Sequence, residues 1–172
     1  MLKEGGGGMI FVGIDPGPEK SAYVVTEQYE PMYCAKVEND NMRGLLVDGN
    51  IIDNQISRLI IEFPVCRKWS GQSICITAIW VGIFLSAWPR MAQAMVDMLT
   101  RQAVRMHTVG KKANDSNIRD YLIERFDKDS FEKNKSGVYV DKGSTYFAGF
   151  HDDIWQAYAL VVTFIDKLRE VR

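Results

Sequence analysis

The sequence has few cysteines and no strong excess of charge of either sign. Its 172 residues include only three cysteines, an odd number, and no two have the Cys-x-x-Cys spacing of a zinc or redox site. We therefore expect no disulfide framework and an intracellular, cytoplasmic setting. Lys and Arg total 21 and Asp and Glu total 22, for a formal net charge of -1. This balance by itself argues mildly against a nucleic-acid partner, because such proteins are usually basic.

Long apolar runs are scarce as well. Residues 70–89 carry no charge, but the stretch opens with Ser-Gly-Gln-Ser and closes with Ser-Ala-Trp-Pro. Its apolar part is thus shorter than the roughly 20 residues that a membrane span needs, and we expect no membrane partner. We predict instead a helix over residues 73–88, either fully buried or shared with a second subunit. The start, MLKEGGGGMI, lacks the apolar segment of a signal peptide, so residues 1–8 are expected to be a flexible leader and residues 9–172 a single domain.

The composition is that of an ordinary globular protein, with 47% hydrophobic and 25% charged residues, which excludes a disordered or fibrous chain. Short β-rich segments at 9–14, 22–26 and 32–37 predict an antiparallel meander. The later elements are expected to alternate: a strand over 59–65, helices over 73–88 and 91–100, a strand over 104–109, a helix to residue 126, a hairpin within 137–146 and a helix over 152–168. This order predicts a mixed α/β sheet.

Acidic residues stand at three places where apolar segments begin or end. Asp15 ends the first predicted strand, Glu62 lies inside the apolar run LIIEF, and Asp152 and Asp153 open the last predicted helix. Singly, Asp15 could cap a turn and the Asp152–Asp153 pair could favour a helix start, but a carboxylate in an apolar strand is costly unless it is paired or binds a metal. Taken together they are the hard oxygen ligands of a magnesium site, and two such ions can support an in-line displacement at phosphorus.

Four segments carry a resemblance to a known family. FVGIDPG at 11–17 resembles the opening strand of RuvC-type Holliday-junction resolvases, within the ribonuclease H-like superfamily, and IIEFP at 60–64 resembles their second acidic strand. Residues 104–126, with VGKK at 109–112, resemble the fifth strand, basic turn and following helix. HDDIWQAYAL at 151–160 resembles the motif of the last helix. The motifs occur in the family's order, in a manner closest to the phage and viral members.

The resemblance implies a ribonuclease H-like fold, with a five-stranded mixed β-sheet flanked by α-helices. It also implies a homodimer and a Mg²⁺-dependent or Mn²⁺-dependent endodeoxyribonuclease with two ions per site, acting on four-way junctions. The implied metal ligands are Asp15, Glu62 and Asp153, completed by Asp152 or Gln156. Gln156 is a departure, because it stands where the last-helix motif has a second acid, and a neutral amide is a weaker ligand. His151 is either a base beside the metals or a surface residue.

Basic residues are concentrated between residues 67 and 112, where Asp97 is the only acid. The near-zero total charge therefore hides a basic stretch in the middle of the chain. Arginine and lysine suit phosphate contacts, and tryptophan suits stacking on a base or sugar. The residues expected to contact DNA are Arg67, Lys68, Trp69, Arg105, Lys111 and Lys112.

Other functions remain open at this point. The same fold hosts nucleases that cut flaps or RNA–DNA hybrids, and Gln156 leaves open a relative that binds junctions without cutting them. Actin-like sugar kinases and ATPases share a Gly-Ile-Asp-x-Gly strand, but that fold needs two such domains and the chain has room for one. No Walker-type glycine-lysine motif is present either.

Overall fold

The computed structural model describes residues 9–48, 57–66, 71–88, 95–110 and 114–171. Its centre is a five-stranded sheet with the strand order β3-β2-β1-β4-β5. The strands are β1 (Ile10–Asp15), β2 (Lys20–Glu27), β3 (Glu30–Glu38), β4 (Ser57–Glu62) and β5 (Val96–Leu99). The first three are antiparallel neighbours, whereas β4 is parallel to both β1 and β5. The predicted meander and mixed sheet are confirmed.

Helices cover both faces of this sheet. They are α1 (Asn39–Val47), α2 (Gln72–Ala87), α3 (Arg101–Thr108), α4 (Asp115–Phe126) and α5 (Ile154–Glu170), and a small hairpin of β6 (Phe131–Lys133) and β7 (Tyr139–Asp141) lies between α4 and α5. Because side chains alternate along a strand, β1 sends Val12 and Ile14 to the face covered by α1 and α2. It sends Phe11 to the opposite face, which α3, α4 and α5 cover.

Two predicted elements in the middle of the chain are wrong. Within the helix expected over 91–100 the structure has strand β5, and the strand expected over 104–109 belongs to helix α3. Thr100 marks the boundary, because its side chain accepts a hydrogen bond from the backbone N–H of Ala103 and caps α3. The fifth strand thus lies earlier in the chain than the resemblance placed it. The hairpin is also displaced, since its first strand precedes residue 137.

Helix α2 is found where it was expected, but it is not fully buried. Of its own residues only Val81 and Phe84 are buried, and Ile79 is 62% exposed. Full burial within one chain was therefore wrong, and the alternative of a shared helix stays a prediction. Among the helices that the structure describes, none is long and apolar enough to cross a membrane. The predicted leader, residues 1–8, lies outside the described residues.

Helix α5 lies unusually close to β1 because of one glycine. A Cβ atom on Gly13 would be 2.3 Å from the backbone oxygen of Ala157 and 2.8 Å from a methyl group of Val161. Only a residue without a side chain allows this approach. The approach brings the first turn of α5 to the carboxyl end of β1, where Asp15 is located.

Candidate active site

Two carboxylates meet at the carboxyl ends of neighbouring strands. Ile14 of β1 pairs with Ile61 of β4 in parallel register, so the next residues, Asp15 and Glu62, are adjacent and share a face of the sheet. This is the face that α5 covers. Asp15 is only 5% exposed, and Glu62 is largely buried as well. The structure therefore brings together the two acids that the sequence placed on separate strands.

An arginine that the sequence analysis did not select lies between these acids. Leu99 of β5 pairs with Glu62, so Arg101, two residues further on, begins α3 beside the carboxylates. Its Nε lies 3.2 Å from Glu62 Oε2, and its Nη2 lies 3.4 Å from each carboxylate oxygen of Asp15. The position of Arg101 just beyond the end of a strand could have identified it from the sequence. The wrong helix prediction over 91–100 concealed that strand.

Burial makes these carboxylates hard to ionise. It raises the pKa of Asp15 to about 8, with the negative charge of Glu62 adding to the effect and Arg101 opposing it. Burial also raises the pKa of Glu62, again opposed by Arg101. For Arg101 itself burial lowers the pKa, but the neighbouring carboxylates outweigh this and raise it. The pair thus needs a cation close by to hold two negative charges.

The acids of the last helix lie near this pair but have other partners. Asp153 is the N-cap residue of α5 but makes no side-chain capping hydrogen bond, and its Oδ2 is 2.6 Å from Nζ of Lys36. Its charge still contributes to the raised pKa of Asp15. Asp152 is exposed and lies beside His151, with 3.4 Å between Oδ2 and Nδ1. Gln156, in the first turn of α5, is 5% exposed.

The two arginines of the basic stretch that the structure describes, Arg101 and Arg105, lie among acidic side chains. Arg105 lies on α3 rather than on a strand, and its Nη2 is 3.3 Å from Oδ1 of Asp115, a residue that the sequence analysis also missed. Arg101 Nη1 is 3.8 Å from Oδ2 of the same Asp115. The structure thus interleaves these arginines with acids. Five of the expected DNA contacts lie outside the described residues: Arg67, Lys68, Trp69, Lys111 and Lys112.

Two clefts are lined by residues of the candidate site. The larger, of about 650 Å³, is lined by Glu62, Arg101 and Arg105 together with apolar side chains such as Phe63 and Met106. The second, of about 400 Å³, is lined by residues of α4, of α5 and of the segment before α5: Asp115, Ser116, Arg119, Phe150, His151, Asp152, Trp155 and Gln156. Together they provide concave surface beside Glu62 and beside the first turn of α5.

The donor chemistry at Asp15 and Glu62 fits a divalent cation. Carboxylate oxygens are the ligands that Mg²⁺ and Mn²⁺ prefer, and a cation is what two buried acids need. Across the described ranges, however, no three His, Cys, Asp or Glu side chains are close enough together to hold a metal ion. Arg101 contacts the oxygens of the pair, and Asp153 is engaged by Lys36. The pair therefore fits a metal ion only if Arg101 leaves it.

Comparisons with known proteins support the architecture. No protein-family model matches the sequence, and no curated protein does. Among solved structures, RuvC of Thermus thermophilus is similar with a TM-score of 0.64 at 12% identity, covering 95% of this chain and 97% of that one. T. thermophilus RuvC in complex with Holliday junction substrate gives a TM-score of 0.63 at 12% identity, with coverages of 95% and 96%.

A third similar structure is the Holliday junction resolvase of fowlpox virus. It is 16% identical and gives a TM-score of 0.48, with 92% of this chain and 99% of that chain covered. The strand order and the flanking helices described above agree with the RuvC structures over nearly the whole chain. The chain therefore has the ribonuclease H-like fold of RuvC, as its sequence motifs implied.

Proposed function

We propose that this protein is a metal-dependent endonuclease that hydrolyses phosphodiester bonds in branched DNA, with four-way junctions as the main substrate. The observation that carries the proposal is the buried pair of Asp15 and Glu62 at adjacent strand ends of a ribonuclease H-like sheet. Burying two carboxylates costs free energy, and buried acids with shifted pKa values are concentrated at functional sites. The similar RuvC fold in complex with Holliday junction substrate supports the choice of a four-way junction.

Asp15 and Glu62 would hold the divalent ion, Mg²⁺ or Mn²⁺, with Asp153 and either Asp152 or Gln156 nearby for a second ion. When bound, such ions supply Lewis-acid stabilisation of the charge that develops on the phosphate. The chain's own contribution is to position these oxygens on rigid strand ends and on the first turn of α5.

The larger cleft, beside Glu62, suits a nucleic-acid strand. Arg101 and Arg105 line the larger cleft, where guanidinium groups can contact phosphate oxygens. Phe63 is 46% exposed on the same cleft and offers a surface for a base or sugar. Contacts from Arg67, Lys68, Trp69, Lys111 and Lys112 remain proposals, on the sequence grounds given above.

A homodimer through α2 is part of this proposal. The helix has an apolar sequence but buries few of its residues within the chain, and Ile79 is exposed on it. A two-fold dimer would present two sites to the two strands that must be cut in a four-way junction. Light scattering of the purified protein should show a dimer that Ile79→Glu converts to a monomer; a monomeric parent protein would refute this part.

Cleavage of a synthetic four-way junction tests the function. The wild-type protein should cut the junction when Mg²⁺ is added, and should leave linear duplex, flap and RNA–DNA hybrid substrates largely intact. Asp15→Asn and Glu62→Gln should abolish cleavage and retain binding to the junction. Glu132→Gln is a matched control, because Glu132 forms an exposed ion pair with Lys142 beside the separate β6–β7 hairpin. Equal cleavage by the wild type and the Asp15 and Glu62 variants would contradict the site.

A second candidate function is binding of junctions without cleavage. Gln156 supports it, because its amide stands where the family motif has a second acid. The same experiment separates the two functions, since a non-catalytic protein would bind the junction with Mg²⁺ present and leave every strand intact. If Gln156 limits an active site, Gln156→Asp should increase the cleavage rate.

A further inference from the structure

We propose that Arg101 is a built-in counter-ion of the metal-free protein: its guanidinium holds Asp15 and Glu62 together, and it moves to Asp115 when a divalent cation binds the pair. The inference rests on the proposed function in one respect only, namely that the pair is the cation site. It concerns how tightly the site binds metal, and it assigns Arg101 the role of a competitor rather than a ligand.

The first argument is the charge of the pair. Asp15 and Glu62 are both largely buried and lie next to each other, so their repulsion and their lost hydration must be offset by positive charge. Among the residues that the structure describes, Arg101 contacts both, and it reaches three of their carboxylate oxygens. A metal ion on the pair would need these same oxygens, so the guanidinium and the metal exclude each other.

The second argument is that Arg101 is held loosely enough to leave. Its contacts to the pair measure 3.2 and 3.4 Å, longer than the roughly 2.7–2.9 Å of strong charge-assisted hydrogen bonds. Its side chain is 39% exposed and borders the larger cleft, so space for another rotamer is available. Arg101 is also the first residue of α3, where only its side chain needs to move.

The third argument is a second acceptor within reach. Asp115 lies at the start of α4, and its Oδ2 is 3.8 Å from Nη1 of Arg101. Arg105 occupies the other oxygen of Asp115, at 3.3 Å, which leaves Oδ2 for Arg101. A short movement would therefore exchange one carboxylate contact for another. In that position Arg101 would still line the cleft where a phosphate is expected.

The consequence is a linkage between Arg101 and metal affinity. Any free energy by which Arg101 stabilises the pair must be given up when metal binds, so removing Arg101 should strengthen metal binding and weaken the metal-free fold. A residue that merely supported the site would have the opposite effect on metal affinity. The sign of the change thus identifies the role.

Calorimetric titration of the metal-free protein with Mn²⁺ alone tests this, at about pH 8.5 to limit competition from protons at Asp15. Arg101→Gln should lower the dissociation constant about tenfold. Arg101→Lys keeps the positive charge but cannot bridge two carboxylates. Its dissociation constant for Mn²⁺ should therefore lie between those of wild type and Arg101→Gln. Arg58→Gln is the matched control, because Arg58 lies on the same strand as Glu62 but pairs with Asp97. It should leave the affinity unchanged.

Thermal unfolding supplies a second measurement. Arg101→Gln should lower the melting temperature of the metal-free protein, and saturating Mn²⁺ should remove most of the difference from wild type. If Arg101→Gln does not fold without metal, Arg101→Lys carries the comparison. Equal or weaker Mn²⁺ binding by Arg101→Gln would overturn the proposal, and so would the absence of Mn²⁺ binding by all of the proteins.

These outcomes are separable from the nuclease proposal. A tighter Mn²⁺ site in Arg101→Gln together with an uncut junction would uphold the role of Arg101 and refute the endonuclease. Mg²⁺-dependent cleavage that is lost in Asp15→Asn, with no change in Mn²⁺ affinity in Arg101→Gln, would uphold the endonuclease and refute the role of Arg101.

Discussion

Replacement of Gly13 by alanine should separate α5 from the sheet and damage the site at its end. The added Cβ would lie 2.3 Å from the backbone oxygen of Ala157, whereas ordinary contacts begin at 3.4 Å, so the helix must retreat by about 1 Å. A backbone carbonyl cannot rotate away as a side chain can. Overpacking of this kind costs about 3 kcal/mol, which lowers the melting temperature of a chain of this length by roughly 6 to 12 °C.

The same displacement moves Asp153 and Gln156 away from Asp15. A shift of about 1 Å in a catalytic arrangement can cost about a hundredfold in rate, so junction cleavage should fall more than stability alone explains. Urea denaturation followed by circular dichroism gives the free energy of unfolding. Gly44→Ala is the control, because a Cβ added to Gly44 meets nothing within 4 Å outside the backbone of its own helix, α1. It should raise the free energy of unfolding by about 0.5–1 kcal/mol. A Gly13→Ala protein within about 0.5 kcal/mol of wild type would refute the reasoning.

Two further predictions concern acids whose pKa values the structure shifts. The pKa of Asp15 is raised from 3.8 to about 8, so the folded state retains its proton and metal-free stability falls as the pH rises between these values. In EDTA, Asp15→Asn should therefore have a higher free energy of unfolding than wild type. The difference should grow by at most about 1.4 kcal/mol per pH unit from pH 4 to 8. A difference that does not change with pH would contradict this. At Asp166, burial is outweighed by hydrogen bonds from Arg125, His107 and Tyr29, which hold its pKa well below its usual range. Asp166→Asn should lower the free energy of unfolding by about 3 kcal/mol at neutral pH. Urea denaturation should show this loss shrinking below about pH 4, where the carboxyl of the unfolded chain takes up a proton. An equal loss at pH 3 would argue against it.

The distribution of charge along the sequence differs from its distribution in the folded structure. Along the chain, residues 67–112 are basic and most acids lie elsewhere, which favoured a separate basic surface for DNA. In the structure Arg101 and Arg105 lie among Asp15, Glu62 and Asp115. These arginines balance the acids of the site as well as lining a cleft. At least for these two described arginines, the formal net charge of -1 conceals close pairing of opposite charges at the site.

The strands and helices with strong apolar periodicity were predictable. The meander of β1 to β3, strand β4, and helices α2, α4 and α5 lie within a few residues of their expected positions. Apolar spacing predicted most of these elements, whereas α2 followed from the length of its uncharged apolar run. Strand β5 was missed because its four residues, VDML, contain too little pattern and gain their stability from pairing with the distant β4. Misplacing β5 also displaced α3, and with it Arg101 and Arg105.

By itself, the sequence determined the mixed sheet, the order of its acidic segments and the likeness to RuvC-type proteins, because strand periodicity and the motifs around Asp15 and Glu62 are local properties of the chain. Only the tertiary structure decided which charges meet. Parallel register aligned Asp15 with Glu62, the missing side chain of Gly13 let α5 approach, and the end of β5 placed Arg101 on the pair. Such partners lie far apart in the sequence, and an electrostatic interaction depends on their distance in space and on their burial, which no local pattern encodes.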